Sequence, residues 1–118
     1  MTNLKAVLAL ASVFVLGTFN ANAYTSGTEI ATYAEEYLKS ENGQEYPGFS
    51  ADFFMGYVAS TVDHSVNICY PKGIKNGQVV KAVALYIQNN PSKLHLSADE
   101  LVYEALADAW HCRKGEPN

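Results

Sequence analysis

Positive charge is scarce in this chain, and so are cysteine, tryptophan and histidine. Eight Lys and Arg stand against twelve Asp and Glu, giving a formal net charge of −4. No run or face of basic residues interleaved with aromatics occurs, which argues against nucleic-acid binding and against attraction to anionic membrane. Histidine is limited to His64, His95 and His111. No H-E-x-x-H motif and no glycine-rich phosphate loop accompany them. The nearest His/acid pair, Asp63 and His64, is adjacent along a helix, so its members point in different directions. Two cysteines with scattered histidines lack metal-ligand spacing. These absences predict a protein that is not an enzyme and holds no cofactor or metal. No internal repeat, low-complexity tract or interdomain linker is visible.

Long apolar runs are also missing, with one informative exception at the start. Met1 to Lys5 is a short basic segment, Ala6 to Leu16 is apolar, and Gly17 leads into small residues ending Ala21-Asn22-Ala23. Eleven residues between Lys5 and Gly17 fall short of the roughly 20 that span a bilayer. Small side chains at the first and third positions before a cut suit signal peptidase. Residues 1–23 are therefore expected to be a cleaved export signal. No cysteine lies at the junction to take a lipid, so no membrane insertion is expected after cleavage. Residues 24–118 are expected to form one domain in the periplasm.

A chain of that size has a small core and is marginal without a staple. In an oxidising compartment the lone pair Cys69 and Cys112 is most simply one disulfide. Closing a loop of about forty residues stabilises by about 4 kcal/mol in the chain-entropy model. The acidic excess precedes that pair: Glu29, Glu35, Glu36, Glu41, Glu45, Asp52 and Asp63 against the single Lys39. Such a surface either serves solubility or steers towards a basic protein partner.

Helical periodicity runs through the mature chain and predicts an all-α bundle of about four to five helices. Ser26 or Thr28 caps the first, with Ser26 and Glu29 at capping-box spacing. Its apolar face is Ile30, Tyr33, Ala34, Tyr37 and Leu38, and Asn42-Gly43 ends it. Ser50 is expected to cap a second, central helix with the stripe Phe53, Phe54, Tyr57, Val58, Thr61 and Val62. Gly56 within it is expected to permit a close helix crossing. Asn76 is expected to cap a third helix, Gly77 to Asn89, burying Val79, Val80, Val83, Ala84 and Ile87. The last helix starts at a Ser97/Glu100 capping box, buries Leu101, Ala105, Leu106 and Ala109, and closes at Trp110-His111-Cys112. Eight tyrosines suit either rim packing or a partner-binding face.

The second half of the chain carries a pattern. Cys69-Tyr70-Pro71-Lys72-Gly73-Ile74-Lys75-Asn76-Gly77-Gln78 is followed by Leu85-Tyr86-Ile87, by Asn90-Pro91, and by a helix closing on Trp110-His111-Cys112. Phe54-Met55-Gly56-Tyr57 with Asp63 precedes it. Over about residues 53 to 112 this resembles the Rap1a/Tai family of small periplasmic immunity proteins of type VI secretion systems. The resemblance implies an all-helical, often homodimeric domain that binds and occludes a cognate secreted effector, in one branch a peptidoglycan amidase of the cysteine–histidine type. His111 stands where the family has Pro before the last Cys, and a further Cys pair of some members is absent. Both departures leave open a general periplasmic branch of the same fold.

The shared motif residues read as scaffold, so effector contacts are expected on less patterned surface. The polar, acidic candidates are Glu41, Glu45 and Tyr46 in one loop, and Asp63 and His64 at the end of the second helix. The alternative reading is a periplasmic acid-stress chaperone resembling HdeA, which is also small, helical and built on one disulfide.

Overall fold

A computed structural model describes residues 24–44 and 48–117. The expected export signal, and Glu45 and Tyr46, lie outside the described residues. Four α-helices carry the fold: α1 (Gly27–Glu41), α2 (Phe49–His64), α3 (Asn76–Asn89) and α4 (Ala98–Trp110). A single 3₁₀ turn, Pro91–Lys93, sits between α3 and α4. The protein is all-α with one disulfide, as the periodicity and the lone cysteine pair predict.

Each helix starts where its cap chemistry allows. In α1 the Ser26 hydroxyl accepts from the Glu29 amide at 3.1 Å, and the Glu29 carboxylate accepts from the Ser26 amide at 2.9 Å. That reciprocal pairing satisfies two of the orphan donors of a helix start. In α4 the Glu100 carboxylate accepts from the Ser97 amide at 3.3 Å. The other two starts differ from expectation. Gly48, not Ser50, is the N-cap of α2, so Ser50 lies inside the first turn. Lys75, not Asn76, is the N-cap of α3, where the Gln78 side chain accepts from the Lys75 amide at 2.9 Å. Gln78 does here what Glu does in the other two boxes, one residue earlier than a search for Ser, Thr, Asp or Asn would place it.

The core is made of the predicted faces. Ile30, Ala34 and Tyr37 of α1, Phe54 and Val58 of α2, and Leu101, Ala105 and Leu106 of α4 are buried. All five expected residues of α3, Val79, Val80, Val83, Ala84 and Ile87, are buried. Val102 takes the place expected for Ala109, which is exposed. Tyr33 and Leu38 pack on the core from its edge. α3 and α4 are more enclosed than α2, whose buried set is Ala51, Phe54 and Val58. The reason is chemical: α2 keeps its aromatics partly outside, while the β-branched side chains of α3 fill the interior.

The glycine that a close approach requires is Gly27, not Gly56. A Cβ on Gly27 would lie 2.6 Å from the Leu94 carbonyl oxygen and closer still to that of Leu96, whereas one on Gly56 would meet nothing within 4 Å. Backbone bonds make that approach. Gly27 donates to the Leu96 carbonyl at 2.9 Å and Ala98 donates to the Thr25 carbonyl at 2.9 Å, pairing Ser26 with Ser97 in an antiparallel bridge.

A second bridge, Ile68 with His111, holds the other end of α4. Cys69 donates to the Trp110 carbonyl at 2.8 Å and Cys112 donates to that of Asn67 at 2.9 Å. The Cys69–Cys112 disulfide sits beside these bonds, its Cα atoms 4.9 Å apart. Asn67 reaches the bridge through a left-handed backbone, φ 61°, a conformation asparagine tolerates better than most residues. The segment between α3 and α4 has its own tie. Lys93 donates to the Tyr86 hydroxyl at 2.8 Å and to the Glu104 carboxylate at 2.9 Å. These two bonds hold the Lys93 ammonium above the usual lysine range.

Candidate functional site

The last turns of α2 and the first turns of α4 diverge around an open groove of about 550 Å³. Tyr57, Ser60, Thr61 and His64 of α2 line one side, Asp99, Glu100 and Tyr103 of α4 the other, with Ser65 and Val66 at its end. The periodicity of α2 explains the first set. Tyr57, Thr61 and His64 recur at helical spacing, with Ser60 beside them. The second set follows from the Ser97 cap, which places Asp99 and Glu100 in the first turn of α4.

Electrostatics across the groove is carried by Asp99. Burial raises the Tyr57 phenol above the usual tyrosine range, and the Asp99 carboxylate opposite adds to the rise. Asp99 makes no ion pair among the described residues. Val66 is 60% exposed at the end of the groove. Its carbonyl accepts from the Tyr103 hydroxyl at 3.2 Å, which fixes the width there.

An aromatic run leads along α2 into this groove. Phe49, Phe53 and Tyr57 follow one another at four-residue spacing, with ring centroids 5.8 and 6.0 Å apart. Tyr33 of α1 meets Phe53 edge-on at 5.0 Å. Phe49 is 76% exposed, the most open large apolar side chain described. Aromatic side chains presented in this way are the type that anchors protein interfaces.

The expected contact residues fall at the two ends of that run. Glu41 is the exposed last residue of α1, and the connection that follows it enters α2 at Phe49. Asp63 and His64 are exposed in the last turn of α2, about 20 Å further along the helix at 1.5 Å per residue. The adjacent pair divides: His64 lines the groove, while Asp63 acts on Tyr70, whose phenol is raised by burial first and by the Asp63 charge second. Tyr57, Val66, Asp99 and Tyr103 were not among the expected contacts. Tyr57 reads as core stripe and Asp99 as a dipole partner, and only the fold brings them together.

No group of three or more His, Cys, Asp or Glu that could hold a metal occurs among the described residues. No described helix is long and apolar enough to cross a membrane. A family model described as Rap1a immunity proteins matches residues 26–112. The chain belongs to the Rap1a family. The match begins at the Ser26 cap and ends at Cys112, so it spans both backbone bridges and all four helices. No curated protein and no solved structure matches the chain. Membership implies the general role of a type VI secretion immunity protein, and members of the family are typically non-catalytic and periplasmic.

Proposed function

We propose that this protein is exported by cleavage after Ala23, and that the domain from residue 24 onward binds and occludes a secreted type VI toxin. The toxin class proposed is a peptidoglycan amidase of the cysteine–histidine type. The observation that carries the reading is the family match over residues 26–112. The aromatic run from the exposed Phe49 through the half-buried Phe53 and Tyr57, flanked by acidic side chains, supports it, because that surface suits a basic protein partner. The contacts proposed are Glu41, Glu45 and Tyr46 before α2, with Asp63 and His64 at its end. The homodimer expected of the family is carried with this reading, and sedimentation of the purified protein tests it.

The acid-chaperone alternative fares worse on one observation. A chaperone of that kind opens when acidified, which requires ionisable groups that the fold depends on. No charged side chain is buried among the described residues. Protonation therefore removes surface ion pairs such as Lys39–Glu35 at 3.4 Å and the carboxylates of the caps, while the apolar core is untouched.

The test is co-purification with any secreted hydrolase encoded beside the gene, together with rescue of cells that express such a hydrolase in the periplasm. The expected result is a stable complex at neutral pH that blocks cell-wall digestion. Replacing Glu41, Glu45 and Tyr46 with Ala should weaken it, and an unchanged affinity would remove that placement. No complex and no rescue, with suppression of client aggregation near pH 2–3 instead, would favour the chaperone.

A further inference from the structure

We infer that the groove between α2 and α4 is a receptor for an arginine side chain of the protein partner. This inference rests on the immunity reading only for the identity of that partner. The hydrogen-bonding groups of the groove are already committed in one direction.

Most donors that line the groove are used on its own backbone. Thr61 donates to the Tyr57 carbonyl at 3.0 Å, Ser65 donates to that of Thr61, and Tyr103 donates to that of Val66. His64 Nδ1 lies 2.8 Å from the Ser60 carbonyl oxygen. A carbonyl can only accept, so Nδ1 carries the hydrogen, and a neutral ring leaves Nε2 as an acceptor. What remains at the groove is mainly acceptor capacity and negative charge, from His64 Nε2 and the Asp99 and Glu100 carboxylates, together with the Tyr57 and Ser60 hydroxyls, which can donate or accept. A ligand that satisfies this set brings donors and positive charge. An anion would find few donors and an opposing carboxylate.

The shape selects among cations. Tyr57, Val66 and Tyr103 supply apolar wall, against which an aliphatic stem and a flat, weakly hydrated head group can lie. Guanidinium offers five donors in one plane and packs on aromatic surface, which a compact, strongly hydrated ammonium does less well. A protein partner is the source, because the groove continues along the half-buried Phe53 and Tyr57 to the exposed Phe49, which a free amino acid would leave uncovered.

The experiment is a titration of the 15N-labelled, oxidised exported protein with Nα-acetyl-arginine amide, followed by amide chemical shifts. The citrulline analogue, equal in shape and uncharged, is the control. Saturable shifts are expected at Ser60 to Val66, Asp99 and Tyr103, with citrulline about tenfold weaker, the worth of one charge-assisted bond. Asp99→Asn, at an exposed position that leaves the core intact, should lose the preference for arginine. Equal response to citrulline, shifts centred elsewhere, or an unchanged Asp99→Asn variant would overturn the inference. A second arm uses a secreted hydrolase that co-purifies with the protein, whose complex should weaken at least about tenfold with Asp99→Arg, by the same bond and by charge repulsion. A complex indifferent to Asp99→Arg would refute the groove as a contact while leaving the immunity reading standing. Failure of the unaltered protein to bind any secreted hydrolase would refute the immunity reading, and the arginine titration would still decide the groove.

Discussion

Gly27 donates its amide hydrogen to the Leu96 carbonyl at 2.9 Å and has no space there for a side chain. The starts of α1 and α4 are thereby joined through main chain alone, and each of the two helices carries its own Glu-based box at the junction. Two N-terminal dipole ends meet at this point, and Glu29, Asp99 and Glu100 offset the positive potential they share.

Gly27→Ala should therefore destabilise the protein, by about 1–3 kcal/mol, the usual range for forcing a methyl into packed surroundings. Gly56→Ala should act in the opposite sense, stabilising by up to about 1 kcal/mol, because it sits at an open position inside α2. Urea denaturation of the oxidised protein measures both. Equal effects at the two glycines would contradict the packing described for Gly27.

Reduction of the Cys69–Cys112 disulfide, or replacement of both cysteines by Ala, should cost about 2–4 kcal/mol. For a domain of this size that corresponds to a fall in Tm of about 10–30 °C. Thermal denaturation with and without reductant reads the change. A shift of a degree or two would mean that the adjoining Cys69–Trp110 and Cys112–Asn67 bonds suffice by themselves.

The acid limb of stability should involve Glu29. Its carboxyl is held below the usual range, chiefly by the hydrogen bond from the Ser26 amide and secondarily by the Ser26 hydroxyl. A depressed folded value means that the contribution is complete above the ordinary carboxyl value of 4.5 and is lost as pH falls through the folded one. Glu29→Gln keeps an acceptor but removes the titration, so its Tm should vary less with pH between about 5 and 3. Parallel Tm-versus-pH curves for the two proteins would exclude Glu29 from the acid transition.

Tyr70 should respond to loss of its hydroxyl. The ring packs on Trp110, with centroids 5.6 Å apart, but the hydroxyl is buried without a hydrogen-bond partner. Tyr70→Phe removes that polar atom and should stabilise by about 1 kcal/mol at neutral pH. The phenol is raised by burial and then by Asp63, so it favours the folded state below the ordinary value of 10.0 and loses that contribution as pH climbs through the raised one. The variant should lose part of the alkaline fall in stability, measured by denaturation at pH 8 to 11.

Local signals were the legible part of this fold. The Ser26–Glu29 and Ser97–Glu100 boxes and the five-residue interior face of α3 depend on neighbours within one or two turns, so periodicity and cap chemistry suffice for them. The two glycines show where that stops. Gly56 and Gly27 look alike in sequence, and only the path of Leu94 to Leu96 across the start of α1 makes one indispensable and the other open. The groove is hidden for the same reason. Tyr57 and Asp99 are separated by α3 and the 3₁₀ turn along the chain, and nothing near either residue signals the other. Asp63 and His64 read in the sequence as exposed polar residues, and the helix turns them to different neighbours.

The backbone bridges at the two ends of α4 also make the helix a spacer between the points where the chain enters and leaves the domain. Thr25 is fastened at its first residue and Cys112 just past its last, about 20 Å apart for thirteen residues of helix. Dyes placed at positions 24 and 113 would thus form a ruler of nearly fixed length. Loosening of either fastening would lengthen it before the four-helix core came apart.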